Sequence, residues 1–204
     1  MTLPNWITSA RLVLTILLCA LMSVAWADAA SARAAAWVVL VLFLVAALSD
    51  VLDGYLARKL NQVTAFGRIF DPFVDKLLVC GIFTLLIGIP LTPGDTPLRV
   101  APWMVVLIVG RELLVSSIRA DAEEAGVAFG ADWSGKLKMA AQSVCLAALL
   151  LQLAMPTQTF EPVLRPLLYA TVAVTVWSLF AYLLRARTRL FSAEALAGVK
   201  RSNA

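Results

Sequence analysis

Six apolar stretches, nearly free of charged residues, dominate this chain of 204 residues. The hydrocarbon core of a membrane is about 30 Å thick, and a helix needs about 20 apolar residues to cross it. Six such helices, joined by short loops, account for almost the whole chain. The sequence therefore predicts an all-α integral membrane protein with six transmembrane helices. Those helices are predicted at residues 7–27, 34–59, 71–90, 99–122, 134–155 and 162–185.

The composition excludes several other classes of protein. Hydrophobic residues make up 61% of the chain and charged residues 15%, whereas a soluble domain is about half apolar and about a quarter charged. A water-soluble enzyme, a disordered chain and a disulfide-stapled secreted domain are thereby excluded. The chain has no histidine, which excludes a Ser-His-Asp triad and a His-bound zinc ion. Any chemistry must use carboxylates, Arg, Lys or hydroxyl groups.

The positions of Lys and Arg predict the orientation in the membrane. Most of those near helix ends fall on one side, which should be cytoplasmic. Only three fall on the other side: Arg33, Arg99 and Arg165. Both termini are then cytoplasmic, and we expect one transmembrane domain over residues 1–189 with a short tail over residues 190–204. Residues 25–27 imitate a signal-peptide cleavage site, but the bulky Trp26 within it makes cleavage the weaker interpretation.

Four Asp residues fall within one short segment of the chain. Asp50 and Asp53 end the second predicted helix, three residues apart. Asp71 and Asp75 begin the third, four residues apart. Each spacing puts both carboxylates on one face of a helix. Because the loop between the helices is short, the two pairs can converge at the cytoplasmic face of the membrane.

Four carboxylates at that depth would repel one another and need cations. With no His or Cys nearby, the ligands are all oxygen, which suits a hard ion such as Mg²⁺, Mn²⁺ or Ca²⁺. Four carboxylates suffice for two metals about 4 Å apart, the arrangement that clamps a phosphoryl-transfer centre. The alternative is a set of interfacial ion pairs with cations of the same segment: Arg58, Lys59, Arg68 and Lys76.

Small residues beside the carboxylates favour a ligand site. Gly54 and Gly67 lack a Cβ, so a backbone or a ligand can approach closely. Ala57, one turn from Asp53, also leaves room, and Arg58 is a natural partner for a phosphate oxygen.

In this spacing the segment resembles the complete signature of the CDP-alcohol phosphotransferases. The matching positions are Asp50, Asp53, Gly54, Ala57, Arg58, Gly67, Asp71 and Asp75. Residues 3–11, 110–119, 134–142 and 177–179 are similar to the branch of that family that forms phosphatidylglycerophosphate. The resemblance implies a six-helix membrane fold, a homodimer, and metal-dependent transfer of a CDP-activated group to an alcohol with release of CMP.

The resemblance also implies roles for individual residues. Asp50, Asp53 and Asp71 would bind two divalent ions, Mg²⁺ or Mn²⁺. Asp75 would complete the metal cluster and act as the general base on the acceptor hydroxyl. The implied CDP-binding residues are Asn5, Thr8, Asp50, Asp53, Gly54, Ala57, Arg58 and Gly67. For Asn5 and Thr8, helix capping or packing is an equal alternative.

An acceptor such as glycerol 3-phosphate needs its own phosphate site. The candidates are Arg111, Arg119, Lys136 and Lys138. Arg111 interrupts an apolar span, which points to function, although a salt bridge with Glu112 or with an Asp of the cluster is the alternative. Arg119 lies two turns further on, about 80° around the helix. Lys136 and Lys138 face opposite ways on a helix, so only one of them is expected to contribute.

The leading hypothesis is transfer of the phosphatidyl group from CDP-diacylglycerol to glycerol 3-phosphate at the cytoplasmic face of a bacterial inner membrane. Another acceptor, such as phosphatidylglycerol or an inositol phosphate, is the alternative within the family. A cation transporter that uses the Asp cluster is the alternative from a different class. It would need carboxylates near mid-membrane, whereas these lie at one end of their helices. No nucleic-acid partner is expected.

Overall fold

The apolar stretches fold into helices joined by short connections in a computed structural model of the chain. The structure describes residues 3–25, 29–59, 65–124, 133–157 and 159–202. It describes the side chains of residues 6–24, 32–49, 70–123, 133–157 and 159–188. Within these ranges the helices are α1 (Leu3–Ala25), α2 (Ala29–Lys59), α3 (Ala65–Leu85), α4 (Pro102–Glu124), α5 (Trp133–Ala154) and α6 (Glu161–Ser202).

The predicted helix boundaries differ most from the structure at the start of the third helix and at the end of the sixth. The second helix also begins five residues earlier than predicted, at Ala29, and the third ends five residues earlier, at Leu85. The third helix begins at Ala65 rather than at residue 71, which leaves Pro72 inside α3 instead of near its start. A proline there is tolerated because neighbouring helices and side chains satisfy the backbone group that it frees. The sixth helix does not end near residue 185 but continues to Ser202, since its sequence after Pro166 contains no further proline.

The connection from α3 to α4 is folded rather than loose. The backbone N–H of Leu91 donates to the carbonyl of Leu98 at 2.8 Å, and that of Leu98 donates to Thr92 Oγ1 at 2.8 Å. Gly88 adopts a φ of 78°, which a residue with a side chain rarely adopts. Pro102 then starts α4, where its missing N–H costs nothing.

The main apolar core lies between the helices. Its fully buried members come from all six helices and include Leu18, Phe43, Ile82, Ile108, Leu146 and Leu168. Large apolar side chains also cover the outside of the bundle, among them Ile16, Val41, Val106, Val144 and Phe180. An exposed apolar surface of this extent is what a lipid environment requires.

Four helices among the described residues are long and apolar enough to cross a membrane. Their candidate spans are Trp6–Val24, Ala32–Ser49, Trp133–Ala154 and Glu161–Thr188. The other two helices, α3 and α4, carry several charged residues of the candidate site, among them Asp71, Asp75, Arg111 and Glu112. The all-helical membrane architecture predicted from the sequence is therefore confirmed, and a count of six spans with cytoplasmic termini stays a prediction.

Candidate active site

Two carboxylates on α3 face α1. Thr8 Oγ1 donates a hydrogen bond to Asp71 Oδ1 at 2.5 Å. One turn along both helices, Arg11 Nη1 donates to Asp75 Oδ1 at 2.6 Å. The side chain of Arg11 is 1% exposed and that of Asp75 is 23% exposed. A charge-assisted bond buried to this degree orients the carboxylate strongly, because little water competes for it.

Helices α1 and α3 run parallel, which explains why the two bonds form together. The pairs Thr8–Asp71 and Arg11–Asp75 are 63 and 64 positions apart in sequence. Further along, a Cβ built on Gly81 would lie 3.2 Å from Cys19 Sγ. The glycine therefore permits the close approach of the two helices that carries the polar contacts at their N-terminal ends.

The second predicted pair of carboxylates lies on α2. The backbone of α2 is helical through Asp50, Asp53, Gly54, Ala57 and Arg58. Helix α2 packs on α1, and α1 packs on α3.

The side chains of that α2 segment, of Asn5 on α1 and of Gly67 on α3 lie outside the described residues. Among the side chains that are described, no three potential metal ligands come together. The described side chains therefore do not test the predicted cluster of four carboxylates, which stays a prediction.

A group of buried charges links α4 to α5. Glu112 Oε1 accepts hydrogen bonds from Lys138 Nζ and, at 3.3 Å, from Arg111 Nη1. The three side chains are each 7% exposed or less. The Nε atom of Arg111 is also buried and has no hydrogen-bond partner among the described residues. Two cations share one carboxylate, so the group retains a net positive charge.

The alternative of a salt bridge between Arg111 and Glu112 is therefore observed. Lys138 is buried, whereas Lys136 and Arg119 are exposed. The expectation that Lys136 and Lys138 face different surroundings is thus confirmed.

Lys76 joins this group from α3, and sequence reasoning missed it. Its Nζ donates to Ser116 Oγ on α4, and Ser116 in turn donates to the Glu112 carbonyl at 2.6 Å. The Lys76 ammonium also lies within electrostatic range of Glu112, Arg111 and Arg119. The sequence treated Lys76 only as an ion-pair partner for an Asp. The available signal was its position after Asp75, since a step of about 100° turns it away from the carboxylate face.

A further cation approaches the same end of the bundle from α6. Arg185 Nη2 donates to Ser134 Oγ at 2.8 Å, and Ser134 lies one turn before Lys138 on α5. Below this contact, Gln142 Nε2 donates to Thr175 Oγ1 at 3.1 Å, inside the interface of α5 with α6. These bonds tie α5, which carries Lys138, to α6.

The donor set fits a hard divalent cation. Asp71 and Asp75 offer carboxylate oxygens from one helix face, and Thr8 and Arg11 already hold one oxygen of each. Hydrogen bonds to ligating carboxylates are the usual outer shell of a metal site. With oxygen donors only and no histidine in the chain, Mg²⁺ or Mn²⁺ suits the site better than a softer metal.

Comparison with known proteins identifies the family. The profile of the CDP-alcohol phosphatidyltransferase family matches residues 1–177 of the 204. The chain belongs to this family. The resemblance drawn from the sequence signature is confirmed, and dependence on a divalent metal is general among CDP-alcohol phosphatidyltransferases.

Three relatives from different bacteria have the same enzyme name. A CDP-diacylglycerol–glycerol-3-phosphate 3-phosphatidyltransferase of Sodalis glossinidius is 29% identical over 199 residues, covering 94% of this chain and 98% of its own. The protein of that name from Shigella flexneri is 32% identical over 196 residues, covering 92% and 96%. The one from Bacillus subtilis is 40% identical over 111 residues, covering 54% of this chain and 53% of its own. Similarity to phosphatidyltransferases of this name thus extends over most of the chain.

Proposed function

We propose that this CDP-alcohol phosphatidyltransferase transfers the phosphatidyl group of CDP-diacylglycerol to glycerol 3-phosphate, giving phosphatidylglycerophosphate and CMP. One observation carries the proposal. On α3, Asp75 turns toward α1 while its neighbour Lys76 turns toward the positive group on α4 and α5. A proton acceptor and an anion site therefore lie side by side, as an alcohol that also bears a phosphate requires. The names of the relatives support the same reaction.

The reaction forms one P–O bond and breaks another. The acceptor hydroxyl oxygen attacks the phosphorus that carries diacylglycerol, and the bond from that phosphorus to the CMP oxygen breaks. Asp75 takes the hydroxyl proton as attack develops. Arg11 keeps the Asp75 carboxylate oriented, because its guanidinium donates a hydrogen bond to one carboxylate oxygen.

Asp50, Asp53, Asp71 and Asp75 are the residues that would hold two divalent ions, Mg²⁺ or Mn²⁺. When bound, such ions neutralise charge on the pyrophosphate and improve CMP as a leaving group. Thr8 contributes by fixing Asp71. The proposed CDP pocket is completed by Asn5, Gly54, Ala57, Arg58 and Gly67.

The acceptor phosphate is proposed to bind the group on α4 and α5. Arg111 and Lys138 are its buried cations, and the buried Nε–H of Arg111 is a donor that a phosphate oxygen can use. Exposed Arg119 and Lys136 would attract the anion from water without holding it.

The donor lipid determines where the site must lie. Its acyl chains stay in the bilayer against the apolar outer surface, and its nucleotide lies at the polar end of the helices. We propose six spans with both termini and the active site on the cytoplasmic side of a bacterial inner membrane. A homodimer, and a catalytic domain over residues 1–189 followed by a tail, remain part of the proposal.

The test is CMP release by purified protein in detergent, with CDP-diacylglycerol, Mg²⁺ or Mn²⁺, and separate acceptors. Glycerol 3-phosphate should support turnover, whereas phosphatidylglycerol, an inositol phosphate and serine should not. Asp75→Asn should abolish turnover, and the matched control Asp121→Asn, at an exposed position on α4, should not. Turnover with a different acceptor alone would overturn the acceptor assignment. Metal-independent turnover would overturn the role of the carboxylates.

A further inference from the structure

The positive group on α4 and α5 has a third, half-buried contributor on α3. Lys76 lies on α3, directly after Asp75, and reaches Ser116 on α4. Cys80, one turn further along α3, lies within electrostatic range of Glu112, Lys138 and Lys76. The face of α3 that carries Lys76 and Cys80 is therefore the face that meets the buried charges.

Ser116 sets the position of the Lys76 ammonium. Its hydroxyl proton is committed to the Glu112 carbonyl at 2.6 Å. Its oxygen is then available only as an acceptor, which suits an ammonium donor. The contact to Ser116 uses one of the three N–H donors of the ammonium. Ser116 thereby holds Lys76 near Glu112. The other N–H groups of the ammonium can donate hydrogen bonds to a bound anion.

The charges of this group match a phosphate monoester. Three cations, Lys76, Arg111 and Lys138, surround one carboxylate, Glu112, which leaves two positive charges. A phosphate monoester carries a charge of about −1.5 to −2 near neutral pH. A phosphodiester carries a single negative charge and an unphosphorylated polyol carries none. Arg119, exposed beside Lys76, is screened by water and adds little to the balance.

We propose that Lys76 is a specificity-determining residue that binds the phosphate of the acceptor, positioned by Ser116. The inference rests on the proposed function and deepens it. Lys76 follows Asp75 directly in the chain. An acceptor whose phosphate binds Lys76 and whose hydroxyl lies a few bonds from that phosphate can therefore present the hydroxyl to the general base. The pair thus selects acceptors that carry a phosphate monoester and a nearby hydroxyl, which is the arrangement in glycerol 3-phosphate.

The experiment measures steady-state kinetics with both substrates varied in detergent. Lys76→Gln should raise KM for glycerol 3-phosphate about 10- to 100-fold, the size expected for a lost bond to a charged group. KM for CDP-diacylglycerol should not change. Lys76→Arg should recover most of the loss. Ser116→Ala leaves Lys76 in place but removes the hydroxyl that positions its ammonium. This variant should raise KM for glycerol 3-phosphate about 3- to 10-fold.

Arg165→Gln is the matched control, because Arg165 is an exposed cation paired with Glu161 at the start of α6, away from the site. It should leave both KM values unchanged. Inorganic phosphate, as a competitor of glycerol 3-phosphate, should inhibit the Lys76→Gln variant more weakly than the wild type.

The failures are distinguishable. A wild-type protein that does not use glycerol 3-phosphate would overturn the proposed function. An active wild type would overturn the role of Lys76 if Lys76→Gln lowers kcat or thermal stability while leaving the KM for glycerol 3-phosphate and the inhibition by phosphate unchanged. In that case Lys76 only joins α3 to α4. If Lys76→Gln does not fold, an unchanged KM for glycerol 3-phosphate in Ser116→Ala overturns the proposal, and a raised KM in that variant supports it.

Discussion

Arg11 on α1 donates to Asp75 on α3 at 2.6 Å, and its side chain is 1% exposed. The first helix therefore carries the counter-charge of the proposed general base. Arginine is suited to this position because its guanidinium stays charged when buried and its rigid fork fixes the geometry of a carboxylate.

Replacing Arg11 should impair both stability and catalysis. Arg11→Gln takes the guanidinium from Asp75 and should lower the free energy of unfolding by about 3 kcal/mol, the cost of breaking a buried ion pair from one side. It should also lower kcat at least tenfold, because the carboxylate loses its orientation. Thermal unfolding in detergent and CMP release are the measurements. Arg11→Lys keeps the charge and should lose less in both, and equal losses in the two variants would contradict this account.

Thr8 should influence the metal requirement through Asp71. Thr8→Val keeps the shape of the side chain but removes the bond at 2.5 Å, whereas Thr8→Ser keeps a hydroxyl. The concentration of Mn²⁺ that gives half-maximal CMP release should rise about 10- to 100-fold in Thr8→Val, the usual cost of losing an outer-shell partner. Thr8→Ser should stay near the wild type. A wild-type Mn²⁺ requirement in Thr8→Val would mean that Thr8 serves packing alone.

Glu112 and Lys138 should depend on each other for stability. Glu112→Gln leaves two buried cations without a counter-charge, and Lys138→Gln leaves the carboxylate with Arg111 alone. Each change should destabilise the protein by about 3 kcal/mol. The double variant should lose less than the sum, with a coupling of about 1 to 3 kcal/mol in a thermal-unfolding cycle. Additive losses would show that the two side chains do not interact.

A methyl group at position 81 should destabilise the protein because it would crowd the sulfur of Cys19, which a second substitution can remove. Its Cβ would lie 3.2 Å from Cys19 Sγ, so Gly81→Ala should push α1 from α3 and cost about 1 kcal/mol. In a Cys19→Ala background the sulfur is absent and the same change should cost nothing. Thermal unfolding of the four proteins gives the comparison. An equal cost in both backgrounds would place the strain elsewhere.

Much of the fold followed from periodicity and charge alone. Charge-free apolar stretches located all the helices, because hydrophobic length is dictated by the membrane and not by tertiary contacts. The ends of α3 and α6 were misplaced, since an amphipathic extension beyond the bilayer carries no such length signal. The spacing of Asp71 and Asp75 placed both carboxylates on one face of α3, as the structure shows. Their role in a metal site stays a prediction.

Their partners did not follow from the sequence. The bond from Arg11 to Asp75 joins residues 64 positions apart, and only the parallel packing of α1 and α3 brings them together. Lys76 was assigned to the carboxylates next to it in sequence, while the helix turns it toward Ser116. Contacts of this kind depend on which helices become neighbours, and no local pattern encodes that choice.

The pairing of α1 with α3 also bears on how the protein enters its membrane. Helix α3 carries Asp71, Asp75 and Lys76, and charges of this kind resist transfer from the insertion machinery into lipid. If the proposed six spans form, synthesis from the N-terminus places α1 in the bilayer before α3 emerges. Thr8 and Arg11 then offer Asp71 and Asp75 their partners at matching depth. The contacts of Thr8 and Arg11, which are proposed to orient the reaction, would thus also help the weakly hydrophobic helix α3 to enter the bilayer. Assembly would then depend on α1 preceding α3 in the chain.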